Sequence, residues 1–242
     1  MKVVILCAGK GVRTGLNYPK CLHKLNEGES LLERNLKVIK KAGFKNKQII
    51  LATGFKSQLI KRKTKNKYVY VYNKFYNTTN MVFTLYNVIK KFKPSNYIVI
   101  YADIIFDLKS LLKIKNTKYE ISTLVDKEWL KKWKKRKDYM NDLEELKISK
   151  NKIVNLGKKT HRLSKIDGRF VGISKFSKKI IARLTEESFY SKLLKKNNKI
   201  DFTNFLMILI KQGYRVDAIK RKVDWFEFDQ KEDFVSFEKK TF

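Results

Sequence analysis

The chain has 242 residues, 43% of them hydrophobic, and carries 56 Lys and Arg against 23 Asp and Glu, a formal net charge of +33. That is enough apolar material for one domain with a sizeable core. No apolar run is long enough to span a bilayer, two cysteines do not make a disulfide framework, and the first apolar stretch breaks into Gly-Lys-Gly-Val-Arg without a cleavage site. The expected compartment is therefore a reducing cytoplasm.

The first strand is read over Lys2–Cys7, apolar throughout as in a strand buried on both faces. After a glycine-rich loop, Ser30-Leu31-Leu32-Glu33 reads as a capping box opening a helix. Leu32, Leu36 and Ile39 line one face of that helix, and Gly43 stands where a left-handed C-terminal residue belongs. Gln48–Thr53 is a second strand, followed by a short basic helix from about Lys56, and Tyr68–Tyr72 is a third. Thr79–Phe92 is a second long helix, stopped near Pro94, and Tyr97–Tyr101 is a fourth strand running into Ala102-Asp103. Alternation of strands and helices predicts a parallel α/β sheet.

Past residue 118 the pattern becomes mixed. Tyr119–Val125 reads as a strand and Lys127–Lys137 as a basic helix with two tryptophans. Leu146–Ser149 and Ile153–Asn155 flank a hairpin-like turn, Lys150-Asn151-Lys152. Arg169–Phe176, Arg215–Ile219 and Trp225–Phe228 are further strands, with two helical stretches between the first two and a closing helix from about Gln230. The expected fold is a single α/β domain over residues 1–242. Its mostly parallel, Rossmann-like sheet is flanked by helices, with a first half over 1–118 and a second, mixed half over 119–242.

The positive charge admits two readings. It suits a polyanion partner such as nucleic acid. It is also what a Lys-, Asn- and Ile-rich composition spreads over any surface, and no block of Arg with interleaved aromatics marks a base-reading face. The second reading is adopted, and no specific nucleic acid partner is expected.

The loop itself is more informative. It lacks the Gly-Lys-Ser/Thr ending of a phosphate loop, and Thr14 stands where a dinucleotide fingerprint needs its third small residue. It runs Ala8-Gly9-Lys10-Gly11-Val12-Arg13 and then Pro19-Lys20, long and open, with two cations beside glycine amides that can bind phosphate oxygens.

This A-G-x-G-x-R followed by P-K resembles the signature of the nucleotidyltransferases with a glycosyltransferase-A-like fold. The resemblance covers nearly the whole chain. The segment from Asn73 through Tyr76, Thr79 and Asn80 to Leu85 is similar to one in phosphocholine cytidylyltransferase-like proteins, as are Tyr101-Ala102-Asp103 and Trp225-Phe226-Glu227-Phe228-Asp229. The middle stretch from Val125 to Lys159 resembles the phosphoglutamine cytidylyltransferase type. The short Thr14–Pro19 span departs from the thymidylyltransferases that act on hexose 1-phosphates.

The resemblance implies an Mg²⁺-dependent transfer of a nucleotidyl group, with CTP the expected donor, residues 1–118 the nucleotide-binding half and 119–242 the acceptor-binding half of one domain. The acceptor would be a small phosphorylated compound such as phosphocholine or phosphoglutamine, pyrophosphate would leave, and the product would serve surface-polysaccharide or lipid modification. A sugar-1-phosphate acceptor with UTP or another NTP is the enzymatic alternative; a basic nucleic-acid-binding protein is the other. Arg13 and Lys20 would hold the triphosphate, and Asp103 and Asp229 would hold the metal. The nucleotide would lie against Leu6, Ala8, Gly9, Lys10, Gly11, Val12, Thr79, Asn80 and Ala102. Asp126, Trp129, Trp133, Lys158 and Glu227 would face the acceptor. Several of these also have plainer readings. Asp103, Asp229 and Asn80 could cap helices, Lys158 could be a solvated loop lysine, and the i,i+4 pair Trp129 and Trp133 could be a core stripe rather than an ammonium cage. His23 and His161 receive no role, Cys7 reads as a small buried hydrophobe, and a homodimer is left open.

Overall fold

The computed structural model describes residues 1–25, 28–134, 136, 139–186, 193–195 and 197–238. Eleven strands are described among them: β1 (Lys2–Cys7), β2 (Ile49–Thr53), β3 (Val69–Tyr72), β4 (Tyr97–Tyr101), β5 (Ile104–Phe106), β6 (Ile121–Asp126), β7 (Glu144–Ser149), β8 (Lys152–Lys159), β9 (Arg169–Phe176), β10 (Asp217–Arg221) and β11 (Trp225–Glu227). Nine form one sheet in the order β3-β2-β1-β4-β9-β6-β10-β8-β7, and β5 pairs with β11 in a small second sheet. The first four strands in that order pair in parallel, as do β6 and β10. β9 runs antiparallel between β4 and β6, and the β7–β8 hairpin adds an antiparallel edge. The mostly parallel first half and mixed second half are as the chain pattern predicts.

Why β1 sits centrally follows from its residues. Val3 and Ile5 are packed into one apolar layer and Val4 into the other, each fully buried. A strand apolar on both faces can satisfy neither at an edge. One layer is closed by the helices Leu31–Lys41 and Leu108–Lys115, through Leu32, Leu36, Ile39, Leu111 and Ile114. The other is closed by Met81–Lys91, Lys178–Thr185 and Phe202–Lys211. The Ser30–Glu33 capping box forms in both directions, and Gly43 adopts φ 88°. Lys150 and Asn151 both take positive φ, which gives the β7–β8 connection the backbone twist of a tight hairpin.

The departures from sequence expectation lie mainly at element ends. The helix expected over Thr79–Phe92 spans Met81–Lys91, the helix Trp129–Trp133 is shorter than the Lys127–Lys137 reading (of which 135 and 137 lie outside the described residues), and β10 begins at Asp217, not Arg215. One departure carries more weight. Directly after Asp103 the chain makes β5 before any helix, and the helix Leu108–Lys115 is capped by Asp107, whose carboxylate accepts from the Ser110 amide at 2.7 Å. Asp103 is therefore not a helix cap.

Register places the two halves of the site together. Glu227 pairs with Ile104, and the Phe228 amide donates to the Asp103 carbonyl at 2.9 Å. Beneath this pairing, Phe228 and Ile105 pack with Leu25, Leu31, Phe234 and Phe237 in a separate apolar cluster. On the other flank, β9 enters the sheet with Arg169 opposite Asp126 at the C-terminal end of β6, and its Ile173 pairs with Ile100 of β4, so both halves of the chain present residues at one edge. That edge, outside the carboxyl ends of parallel strands, is where open α/β sheets bind ligands.

Gly54, just past β2, lies against the glycine loop. A Cβ there would come within 2.6 Å of the Ala8 carbonyl and 2.5 Å of the Tyr76 side chain. Gly54→Ala is expected to remain folded but to lose roughly 1–3 kcal/mol from overpacking, read from the urea midpoint.

Candidate active site

Two adjoining cavities open at that edge. The smaller, about 160 Å³, is floored by Leu6, Cys7 and Ala8 at the end of β1 and walled by Gly9, Gly11, Lys20, Thr79, Asn80 and Ala102. The larger, about 350 Å³, shares Asn80, Tyr101 and Asp103 with it and extends under β9 and the β7–β8 hairpin.

The glycine loop owes its shape to Gly11, at φ 62°, a backbone conformation costly for other residues. It leads into a short 3-10 turn, Val12–Thr14, locked by the Thr14 hydroxyl to the Gly11 carbonyl at 2.6 Å. A second turn, Lys20–Leu22, follows Pro19. The turns aim two cations at two carboxylates. Lys20 Nζ lies 2.8 Å from Asp103 Oδ2 and 3.7 Å from Asp229 Oδ1, and Arg13 Nη1 lies 2.5 Å from Asp229 Oδ2. Burial would by itself lower the Lys20 pKa, but Asp103 and Asp229 outweigh it and hold the ammonium above its ordinary range. Burial raises the Asp229 carboxyl, against the opposing pull of Lys20 and Arg13. Asp103 Oδ1 is buried without a hydrogen-bond partner.

The residues expected to meet a nucleotide are mostly brought together. Lys10 is exposed, Val12 is 80% exposed, and neither lines the cavity. Asn80 caps the helix Met81–Lys91, its side chain accepting from the Met81 amide at 2.8 Å, and its amide group donates to the Lys199 carbonyl. It holds the corner between the two cavities while doing so. Cys7 and Cys21 are buried under the loop; a hydrogen bond with Cys21, then burial, push the Cys7 thiol up, so it stays protonated.

Of the residues expected to face the acceptor, only Glu227 reaches the larger cavity. Asp126 is fully buried elsewhere. Its carboxylate accepts from Trp225 Nε1 at 2.8 Å, Lys132 Nζ at 2.9 Å and the amides of Glu128 and Val223. It thereby ties β6 to the start of β11, the strand that leads to Glu227 and Asp229. Trp129 and Trp133 belong to the core, 4% and 3% exposed. Trp133 stacks with Trp225, and the guanidiniums of Arg169 and Arg136 sit 3.4 and 3.8 Å from its ring centre. The ring is already occupied by these neighbours and is not free to cage a substrate ammonium. Lys158 is an exposed β8 residue outside the cavity lining.

Seven acidic residues line the larger cavity, against two guanidiniums, those of Arg13 and Arg169. Asp103, Glu227 and Asp229 were expected from the sequence; Asp142, Glu144, Glu145, Asp201 and Arg169 were not singled out in it. Arg169 donates to the Asp142 carbonyl at 3.0 Å and lies 3.8 Å from Glu227. Burial pushes Glu227 up to about 7, Arg169 opposing, and Asp103 and Asp229 adding to the rise. Burial likewise raises Glu144, with Asp142 and Asp201 adding to it and Arg169 opposing. Tyr101, Phe170 and Phe202 form an aromatic wall, their rings 5.7 to 6.3 Å apart. The signal available in the sequence was Asp142, Glu144 and Glu145, three acids within four residues of a very basic chain.

The chain matches the family model described as "MobA-like NTP transferase domain" over residues 3–151. It belongs to that family. It is 30% identical to the CTP:phosphoglutamine cytidylyltransferase of Campylobacter jejuni, in an alignment covering 99% of this chain and all of that one. Its fold is similar to that of the inositol-1-phosphate CTP transferase of T. maritima, with a TM-score of 0.74, 19% identity and 99% and 96% of the two chains covered. It is also similar to that of the CTP:phosphocholine cytidylyltransferase of Streptococcus pneumoniae, with a TM-score of 0.69, 20% identity and 98% and 97% covered. The protein is a nucleotidyltransferase on an α/β sheet, as the loop resemblance implied. Among the described residues no helix is long and apolar enough to cross a membrane.

Replacing Asp126 by Asn keeps one acceptor oxygen but removes the charge that pairs with Lys132 and sets an amide N–H against either the Lys132 and Trp225 donors or the Glu128 and Val223 amides. Asp126→Asn is expected to cost roughly 3 kcal/mol, measured by denaturant unfolding, whereas Lys158→Ala should leave the midpoint unchanged.

Proposed function

We propose that this nucleotidyltransferase transfers CMP from CTP to a small phosphorylated acceptor that also carries an ammonium group, releasing pyrophosphate. The observation that carries the acceptor assignment is the charge of the larger cavity. In a chain of net charge +33, seven carboxylates face one 350 Å³ space. Asp103, Asp229, Asp142 and Glu145 are ion-paired with cations of the chain, but no such pair is made by Glu144 or Asp201 among the described residues, so an acceptor that brings its own cation is favoured over one that does not. An ammonium lodged near Glu144 and Asp201, against the faces or edges of Tyr101, Phe170 and Phe202, supplies that cation. A sugar 1-phosphate brings no such charge, and its hydroxyls do not call for so many carboxylates. The relative acting on phosphoglutamine and the neighbour acting on phosphocholine both carry nitrogen-bearing acceptors in their names, and both are CTP enzymes.

In this reading the smaller cavity takes the nucleotide, with base and ribose against Leu6, Ala8 and the Gly9–Gly11 backbone, and Thr79 and Asn80 at the pyrimidine edge. Arg13 and Lys20 bind the triphosphate. The acceptor phosphate oxygen attacks the α-phosphorus in line, its new P–O bond forming as the α–β bridging bond breaks, and the two cations stabilise the pyrophosphate as it departs. Mg²⁺ fits Asp103 and Asp229: two carboxylates converge, and Asp103 Oδ1 is a buried acceptor with no partner. Among the described residues no group of three or more His, Cys, Asp or Glu is set to hold a metal, and Mg²⁺ commonly completes its shell with water and phosphate oxygens. When bound it would neutralise charge on the phosphates. Glu227 and Arg169 stand between metal ligand and acceptor cavity and would orient the acceptor.

A pyrophosphate-release screen of four NTPs against phosphorylated acceptors tests this. Turnover is expected with CTP and an ammonium-bearing phosphate; faster turnover with a sugar 1-phosphate would overturn the acceptor assignment. Glu144→Gln is expected to raise the acceptor KM about ten-fold while leaving the CTP KM unchanged, on the scale of one lost charge-assisted contact. Asp103→Asn and Asp229→Asn are each expected to lower kcat by more than about a hundred-fold with the fold retained, as for loss of an electrostatic group acting in the transition state.

A further inference from the structure

The two cations of the glycine loop do something besides wait for phosphate. Lys20 Nζ contacts both proposed metal ligands, at 2.8 Å and 3.7 Å, and Arg13 contacts the second at 2.5 Å. We infer that Lys20 and Arg13 are resident counter-ions of the Asp103–Asp229 pair, so that a divalent cation is admitted only together with a triphosphate. This rests on the reading of the two aspartates as metal ligands.

The charges of the quartet sum to zero: two carboxylates, one ammonium, one guanidinium. A free dication entering it would add two positive charges beside two fixed ones, in a place where Lys20 is 13% exposed and water screens poorly. It would also compete with an ammonium that already contacts both carboxylates. A metal–triphosphate complex brings net negative charge. Its phosphate oxygens offer Lys20 and Arg13 new partners, and the carboxylates they leave become free for the dication. Neither partner gains fully without the other, which is a coupling free energy between two ligands at one site.

The loop is built for the exchange. Arg13 is 69% exposed and sits on a three-residue turn between Gly11 and Gly15, both at positive φ. Its guanidinium can leave Asp229 without disturbing packed side chains. Lys20 follows Pro19 on the second turn and is largely buried, so it acts as the fixed member and Arg13 as the movable one. The Asp103 oxygen left without a partner shows that one ammonium does not exhaust the acceptors of the pair.

The test is Mn²⁺ retained by the protein in equilibrium dialysis, so no turnover is needed and Mn²⁺ chelated by tripolyphosphate in solution, equal on both sides of the membrane, is not counted. Wild-type protein alone is expected to bind Mn²⁺ only at millimolar concentration, and addition of tripolyphosphate, which carries no base, to tighten it at least ten-fold. Lys20→Met should bind Mn²⁺ without any phosphate at least ten-fold more tightly than wild type. Arg13→Gln, on an exposed side chain that leaves the fold intact, should shift it the same way by a smaller factor. Wild type binding Mn²⁺ alone as tightly as both variants would overturn the inference and leave the ligand assignment standing. Asp103→Asn in the Lys20→Met background separates the two: Mn²⁺ binding that survives it, or that no form shows even with tripolyphosphate, overturns the ligand assignment and the inference with it.

Discussion

The arrangement of the site depends on one short antiparallel pairing. β5 and β11 are three residues each, yet their register sets Glu227 opposite Ile104 and lets the Phe228 amide bond the Asp103 carbonyl. Two aspartates more than a hundred residues apart in sequence then converge on one lysine ammonium. A three-residue pair is weak by itself. Here it is held by Phe228, Ile105, Phe234 and Phe237 below and by the buried Asp126 carboxylate at its start. That explains why a fully buried charge is kept in a position that touches no cavity: with four donors around it, it fixes where β11 begins.

Charge is distributed against the grain of the composition. The surface is overwhelmingly basic, while the larger cavity is acidic. In the proposed reading the long-range field draws in phosphates, and the local field selects among them for those that bring their own cation. The glycine loop stands at the boundary, its two cations facing the carboxylates. The stacking of Arg169 and Arg136 against Trp133 serves the same boundary, because it holds one guanidinium among the acids and leaves it paired with Asp142 and Glu227.

Trp133 illustrates how far sequence reasoning reaches. Its i,i+4 spacing with Trp129 showed that the two share a helix face, and either a core stripe or a cage fits that spacing. Only packing against Trp225 and the two arginines decides for the core. Asp126 was expected to face the acceptor and Lys158 to do so or to be a solvated loop lysine, yet the first is buried in the frame and the second is an exposed residue of β8; whether a side chain turns toward a cavity or away from it depends on partners remote in sequence. Glu144, Asp201 and Arg169 carried no motif spacing at all; Asp201 has the sequence context of an ordinary helix cap, and it is one as well, accepting from the Asn204 amide at 2.8 Å.

What the sequence by itself determined is local. The capping box at Ser30, the positive-φ glycines, the apolar central strand, and the glycine loop with its Arg13 and Lys20 all follow from contacts within a few residues, where backbone sterics and hydrogen bonding leave few alternatives. The tertiary structure decided what required long-range register: the convergence of Asp103 and Asp229, the retirement of Asp126 and the tryptophans into the frame, and the acidic cavity assembled from β7, β9, β11 and a helix N-terminus. Pairing and packing between distant segments place those groups, and no short spacing in the chain encodes a contact made across the sheet.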